Sequence, residues 1–475
     1  MIGQEPQPDR PGSLRELLRV ALPLIVSYTT SALMYVVDRI FLSWDSLESL
    51  AAALPAGVLH YNLAALGIGT VAYANAFVGQ YEGALQHRRV GPILWQATYL
   101  SAAGSLMMLL FVPIAPWMFA WFGHHADVLP LEVSYFRIMC CGTFPLLLGT
   151  ALSCFYSGRG QTTVIMVVNI IATLINVVLD YALIFGKLGF PRMGIDGAAL
   201  ATVIAFAVVP LSYIAWMLLR ERSGRFHLWS GRRFDLALTH RLLRFGLPSG
   251  LQHFLDVACF TMFIQFVGRL GTEQLSATSL VFNLNSAVFM PMLGLATAVT
   301  ALVGRRIGEG RPELAVPTTW LAAAVGLSYV FAFCFIYVLA PQAILSPYGL
   351  ADKPELRELV VFLLKLVAVY SAFDALAVIF SSAVRGAGDT RFSMLFSFGL
   401  GLVLMVIPSY IASFYGEAGF FYSWYAATTF TVVLGIGFVL RFQQGRWKTM
   451  QVIEQLGADE DEELPAQDAE LQVAR

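Results

Sequence analysis

Charge is what this sequence has least of. Charged residues make up 13% of the 475, about half the roughly 25% of an ordinary soluble domain, and they almost cancel, at a formal net −1. Such a balance gives no electrostatic case for a nucleic-acid partner. Cysteine is scarce as well. The five present, Cys140, Cys141, Cys154, Cys259 and Cys334, all fall in apolar stretches, where small buried side chains are expected rather than disulfides or a metal centre. There is no P-loop, and the nearest glycine pattern, Gly67-Ile68-Gly69, lies inside an apolar run instead of after a strand. His124 and His125 have no spaced partner, and no nucleophile stands out beside a base, so neither an enzyme nor a resident cofactor is expected. The polar start, Met1 to Ser13, lacks the apolar core of a cleaved signal peptide.

Hydrophobic residues fill the space that charge leaves. They are 57% of the chain, with a mean hydropathy of +0.69, the composition of a membrane protein. Apolar runs lie near 17–43, 50–78, 91–122, 131–156, 163–186 and 195–219, then 241–268, 275–304, 315–345, 359–383, 391–414 and 417–440. Each reaches the roughly 20 residues needed to cross a bilayer core. None alternates as barrel strands do, which leaves helices as the structure able to satisfy its own backbone in lipid.

The runs come as a duplicated set. Leu17-Leu18-Arg19 with Leu22-Pro23 returns 225 positions later as Leu242-Leu243-Arg244 with Leu247-Pro248, and the same offset carries Val78-Gly79 and Gly83 onto Val303-Gly304 and Gly308. At 228 positions, Gly158-Arg159-Gly160-Gln161-Thr162 is answered by Gly386-Ala387-Gly388-Asp389-Thr390. A unit this long is no solenoid repeat; it fits the parallel repeats of some transporters. The expected fold is an all-α integral membrane protein with twelve transmembrane helices in two pseudo-symmetric six-helix bundles.

Placing both chain ends in the cytoplasm puts 22 of the 30 basic residues on that side, as the positive-inside rule favours. The expected organisation is a cytoplasmic N-terminus at 1–16, a first lobe at 17–219, a basic connector at 220–240, a second lobe at 241–440 and an acidic, disordered tail at 441–475. Duplication inside one chain makes a monomer sufficient.

An ionisable group within a span costs at least about 2.5 kcal/mol on insertion scales, which makes each one a functional candidate. Four acids qualify: Asp38, Asp180, Asp256 and Asp374. Asp38 and Asp180 fall in the outer half of the first lobe, Asn176 lies one turn before Asp180, and Thr202 comes to a similar depth on the next span. Two carboxylates, an amide and a hydroxyl at one depth suit either a shared proton or a hard monovalent cation. In the second lobe Asp256 and Asp374 stand near the bilayer centre, and His253 shares a helix face with Asp256. Aromatic and methionine side chains crowd the same spans, Phe260, Phe263, Phe289 and Met292 among them, and those beside an acid would favour organic cations.

The start LLRVALP with Val37-Asp38-Arg39-Ile40-Phe41, the second start LLRFGLPSG, the stretch PMLGLATAVTALVGRRIGEG and the run Arg385 to Thr390 together resemble the multidrug and toxic compound extrusion (MATE) transporters. The resemblance covers nearly all twelve spans. It implies a secondary antiporter of the inner membrane that exports organic cations, drugs or other amphiphiles in exchange for protons or sodium, through a V-shaped pair of lobes. Asn176, Asp180 and Thr202 resemble the first-lobe site of the DinF-type branch, with Asp38 the acid of the first helix. Asp256 and Asp374 resemble the seventh- and tenth-helix carboxylates of the NorM-type branch, although the former is usually glutamate there. Asn283 or Asn285 corresponds to a polar cavity residue, and Pro23 to a first-helix hinge. A flippase for lipid-linked precursors is the alternative, and a membrane-embedded enzyme a distant one.

Overall fold

The computed structural model describes residues 10–121, 128–221, 224–348 and 353–454; His124, His125, Arg222 and the tail from 455 lie outside them. Among the described residues there is no strand. The first half holds α1 (Leu14–Asp45), α2 (Leu47–Ala72), α3 (Ala74–Gly83), α4 (Val90–Leu109), α5 (Phe111–Trp121), α6 (Leu129–Cys141), α7 (Thr143–Gly158), α8 (Thr162–Phe185) and α9 (Ile195–Arg220). The second holds α10 (Leu236–Gly268), α11 (Thr272–Gly308), α12 (Ala315–Leu339), α13 (Pro341–Leu345), α14 (Pro354–Ala387), α15 (Thr390–Leu400), a π-helical turn (Gly401–Val406), α16 (Ile407–Ala412) and α17 (Gly416–Gln443). Ten spans are long and apolar enough to cross a membrane, and the bent pairs α4/α5 (50°) and α6/α7 (41°) bring the number to the expected twelve when each pair is one span.

Local chemistry marks where these helices begin, end and bend. The Ser13 hydroxyl accepts the Glu16 N–H at 3.2 Å to start α1, and the Asp235 carboxylate accepts that of Leu238 at 3.0 Å to start α10. α8 stops at Gly186, whose φ of 65° suits a residue without Cβ. Pro408 offers no N–H to the preceding turn, and that turn widens to π geometry.

The halves meet where the sequence repeat is most conspicuous. α3 packs between α7 and α11, and nine of its ten residues are buried, so it acts as a central post rather than an amphipathic surface helix. Gly79 and Gly83 of α3 face α11, while Gly304 and Gly308 of α11 face α3. A Cβ at Gly83 would stand 2.1 Å from the Arg305 carbonyl oxygen, and one at Gly308 2.0 Å from that of Gln80. The duplicated spacing is thus a small-xxx-small pair on each helix, which allows backbone contact. Around it, Gln80 Nε2 donates to the Gly386 carbonyl at 3.1 Å, Tyr73 donates its hydroxyl to the Arg385 carbonyl at 2.8 Å, and Arg306 of α11 pairs with Glu16 of α1.

The last described residues reinforce this seam. The chain is helical through Gln443, Trp447 is buried and stacked on Phe442 at 4.8 Å, and Val452 and Ile453 are buried. The Val452 N–H donates to Gln80 Oε1 at 2.9 Å, while the Glu454 carboxylate accepts from the hydroxyl of Tyr81 of the first half at 3.1 Å and pairs with Arg241 of its own half. A disordered tail from 441 is therefore not what residues 441–454 form. Their apolar side chains find a place to bury, and the acidic composition that suggests disorder begins only at Asp459.

Gly308→Ala is expected to cost about 1–3 kcal/mol through overpacking, read as a lower thermal unfolding midpoint in detergent. Gly399→Ala, where nothing lies within 4 Å of an added Cβ, should leave the midpoint in place; equal effects of the two would contradict the backbone contact.

Candidate functional site

The first-half acids converge. α1 and α9 both pack against α8, bringing Asp38 from α1, Asn176 and Asp180 from α8 and Thr202 from α9 to one place. Asp38 is 4% exposed and the other three are fully buried. Thr202 Oγ1 lies 3.3 Å from Asp38 Oδ2 and donates to the Ala198 carbonyl at 3.0 Å. With its amide nitrogen toward the acids, Asn176 donates to Asp38 Oδ1 and Asp180 Oδ2, each at 3.1 Å. One amide then joins two carboxyl groups on two helices.

Counting protons shows what this arrangement holds. A hydroxyl has a single proton, so if Thr202 gives its own to Ala198, the contact with Asp38 needs a proton from the carboxyl. Asp180 Oδ1 has no hydrogen-bond partner among the described residues, and burying an unpaired charged oxygen is costly. A proton on the pair relieves both conditions. The same set of oxygens suits a small hard cation only if Asn176 turns its carbonyl inward. Among the described residues, no group of three or more His, Cys, Asp or Glu has the arrangement of a metal centre.

The second-half candidates do not form one cluster. Asp374 lines a small cavity with Asn285, Ser371 and Met292, and the buried Ser371 hydroxyl has no partner among the described residues. Asn283 instead is exposed and donates to the Ser279 carbonyl at 2.9 Å. Asp256 is exposed on α10. His253 is turned to the other half, with Nε2 3.2 Å from the Tyr61 hydroxyl, and among the described residues no hydrogen bond joins it to Asp256. Pro23 sits inside an α1 assigned as one helix from Leu14 to Asp45.

Several polar contacts between the halves carry no sequence signal. Tyr28 and Thr297 share a hydrogen bond of 3.1 Å, Asn75 donates to the Thr297 carbonyl at 3.3 Å, and Asn62 donates to Thr261 at 3.2 Å. Each joins residues about 200 or more positions apart, so no local pattern announces them.

A family model, MatE, matches the chain twice, over 23–182 and 248–411, together more than half of its length. The chain belongs to the MatE family. Both matches begin at the prolines that open the two sequence repeats, Pro23 and Pro248. Curated relatives of this MatE chain include the probable multidrug resistance protein NorM of Idiomarina loihiensis, 26% identical over 94% of this chain and 98% of the relative. That of Synechocystis sp. is 27% identical over 90% and 94%. Among solved structures, an outward-facing conformation of a multidrug resistance MATE family transporter of the MOP superfamily superposes with a TM-score of 0.83 at 21% identity, covering 93% of this chain and 98% of that one. A MOP superfamily transporter from Pyrococcus furiosus, described as having a binding pocket of reverse polarity, gives the same TM-score, identity and coverage. These likenesses place the MatE chain in a known transporter fold.

Asn176→Leu keeps the volume at the acid cluster but removes the shared donor. A loss of about 1–3 kcal/mol of stability is expected, seen as a lower unfolding midpoint near neutral pH that recovers on acidification, when a carboxyl proton can replace the amide. A midpoint unchanged at every pH would show that the amide joins nothing.

Proposed function

We propose that this MatE chain is a secondary antiporter that exports organic cations or other amphiphilic small molecules in exchange for protons or sodium. It is a transporter and not an enzyme. The observation that carries the ion-coupling part is the buried Asp38–Asn176–Asp180–Thr202 cluster; the export part rests on the multidrug resistance relatives. The lipid-precursor flippase is not favoured, since the ionisable groups near the bilayer centre include the acids Asp256 and Asp374, which suit a cationic cargo.

The protein sits in the inner membrane as a monomer with both termini cytoplasmic, divided into lobes at 17–219 and 241–440 with the connector 220–240 between them. The distribution of 22 of 30 basic residues supports that orientation. The seam of α3 and α11 then lies at the cytoplasmic end. α1 links this seam to the acid cluster: its outer part carries Asp38, while its inner part carries Tyr28 and Glu16, which bind Thr297 and Arg306 of the other lobe. Loading the acid cluster changes how α1 packs on α8 and α9, with Pro23 lying between Glu16 and Tyr28 as the place to flex. That shift reaches the seam and biases the lobes between their two openings. Asp256, together with the separate Asp374, Asn285 and Ser371 cavity, holds cationic substrate or a second coupling ion.

The test is efflux of a fluorescent organic cation from proteoliposomes, driven separately by a proton and by a sodium gradient. Asp38→Asn should reduce coupled efflux to background with unchanged expression, whereas Asn283→Ala, an exposed position, should keep it. Full efflux by Asp38→Asn would overturn the coupling assignment, and no efflux by the native protein with either ion would overturn the antiporter reading.

A further inference from the structure

The segment after α9 has a geometry that the transport cycle does not use. Residues 224–235 do not stand away from the bundle. Trp95 donates its indole N–H to the Leu228 carbonyl at 2.6 Å, Gln96 Nε2 donates to that of Arg233 at 3.1 Å, and Tyr99 donates its hydroxyl to that of Arg232. Trp95, Gln96 and Tyr99 occupy the second and third turns of α4, so the segment lies along the flank of a spanning helix close to the end at which that helix begins. Close backbone approach fixes it there. A Cβ at Gly91 would meet the His227 carbonyl oxygen at 2.3 Å, and one at Gly231 would meet Pro92 at 2.7 Å.

Phe226 is buried against the bundle, but with the later carbonyls held inward the side chains that follow turn out. Trp229 is 50% exposed, Phe234 61% and Leu236 71%, and Arg232 and Arg233 between them are exposed as well. The one acid from 222 to 236 is Asp235, whose carboxylate is turned to the Leu238 N–H at the start of α10. Four other arginines at this end of the bundle are paired: Arg159 with Glu221 at 3.0 Å, Arg306 with Glu309 at 2.7 Å, Arg441 with Asp389 at 2.7 Å and Arg241 with Glu454. Among the described residues, no carboxylate pairs with Arg232 or Arg233.

We propose that residues 229–236 form a docking surface for anionic phospholipid headgroups, with Arg232 and Arg233 binding the phosphates while Trp229, Phe234 and Leu236 enter the acyl boundary. The chemistry selects lipid over soluble phosphate, because a free anion would leave the three apolar side chains in water. Two arginines with no carboxylate partner among the described residues, beside exposed aromatic side chains, are the combination that an anionic bilayer surface complements. Since the segment joins the halves, such contacts tether the point about which they move.

The test uses the intact protein in lipid nanodiscs, with Trp229 fluorescence isolated as the difference between the native protein and Trp229→Phe. Phosphatidylglycerol with brominated chains, mixed into neutral phosphatidylcholine, should quench Trp229 at about a tenfold lower mole fraction than brominated phosphatidylcholine does. Arg232→Gln/Arg233→Gln should erase that preference, and the double lysine variant should retain it. Equal quenching by the two lipids in the native protein would overturn the headgroup selectivity. Absence of Trp229 quenching by either would place the segment clear of the bilayer and favour a soluble partner instead. Both readouts on the native protein hold even if the glutamine variant fails to fold.

Discussion

The backbone contact between α3 and α11 is the constraint on which the rest of the structure depends. In lipid, apolar side chains gain little by leaving one hydrocarbon surface for another, so helices associate through close packing and interhelical polar contacts. Gly79, Gly83, Gly304 and Gly308 supply the first of these and Gln80 the second. Gln80 donates to Gly386 and accepts from Val452, joining a post in one half to a turn and a terminal segment of the other. These backbone and polar contacts add to an apolar interface in which Leu24, Phe77 and Val78 of one half are buried with Leu295, Val299 and Val303 of the other, so the seam is held at defined points within a broader packed surface.

The repeat gives the two halves a common frame while their chemistry differs. The first half gathers two acids, an amide and a hydroxyl in one buried cluster; the second scatters its acids, with Asp374 in a small cavity and Asp256 exposed. A dry cluster answers to the gain or loss of one charge by repacking, since charge there has few ways to be screened. The two halves thus differ in how they hold their acids, and α1 reaches both the buried cluster and the seam.

Much of the fold was readable because spanning a bilayer imposes length and apolarity on each helix. The runs, the doubling and the acids at odds with their surroundings follow from that constraint. The sequence also brought Asp38, Asn176, Asp180 and Thr202 to one depth, since rise along a helix is fixed. It read poorly where rotation mattered. Apolar spans have no wet face to betray which side meets protein, so nothing local said that His253 would turn to Tyr61 instead of Asp256, or that Asn285 and not Asn283 would line the cavity beside Asp374.

By itself the sequence determined how many times the chain crosses the membrane, that it does so as two copies of one unit, and which residues are costly enough in lipid to need a purpose. Only the tertiary structure decided that the repeated glycines face one another, that residues 446–454 fold back onto the seam, and that the connector lies with Arg232 and Arg233 outward. Those outcomes depend on the relative rotation of helices hundreds of residues apart. A periodicity of 3.6 residues records the face of a helix, but in a hydrocarbon solvent it does not record what that face meets.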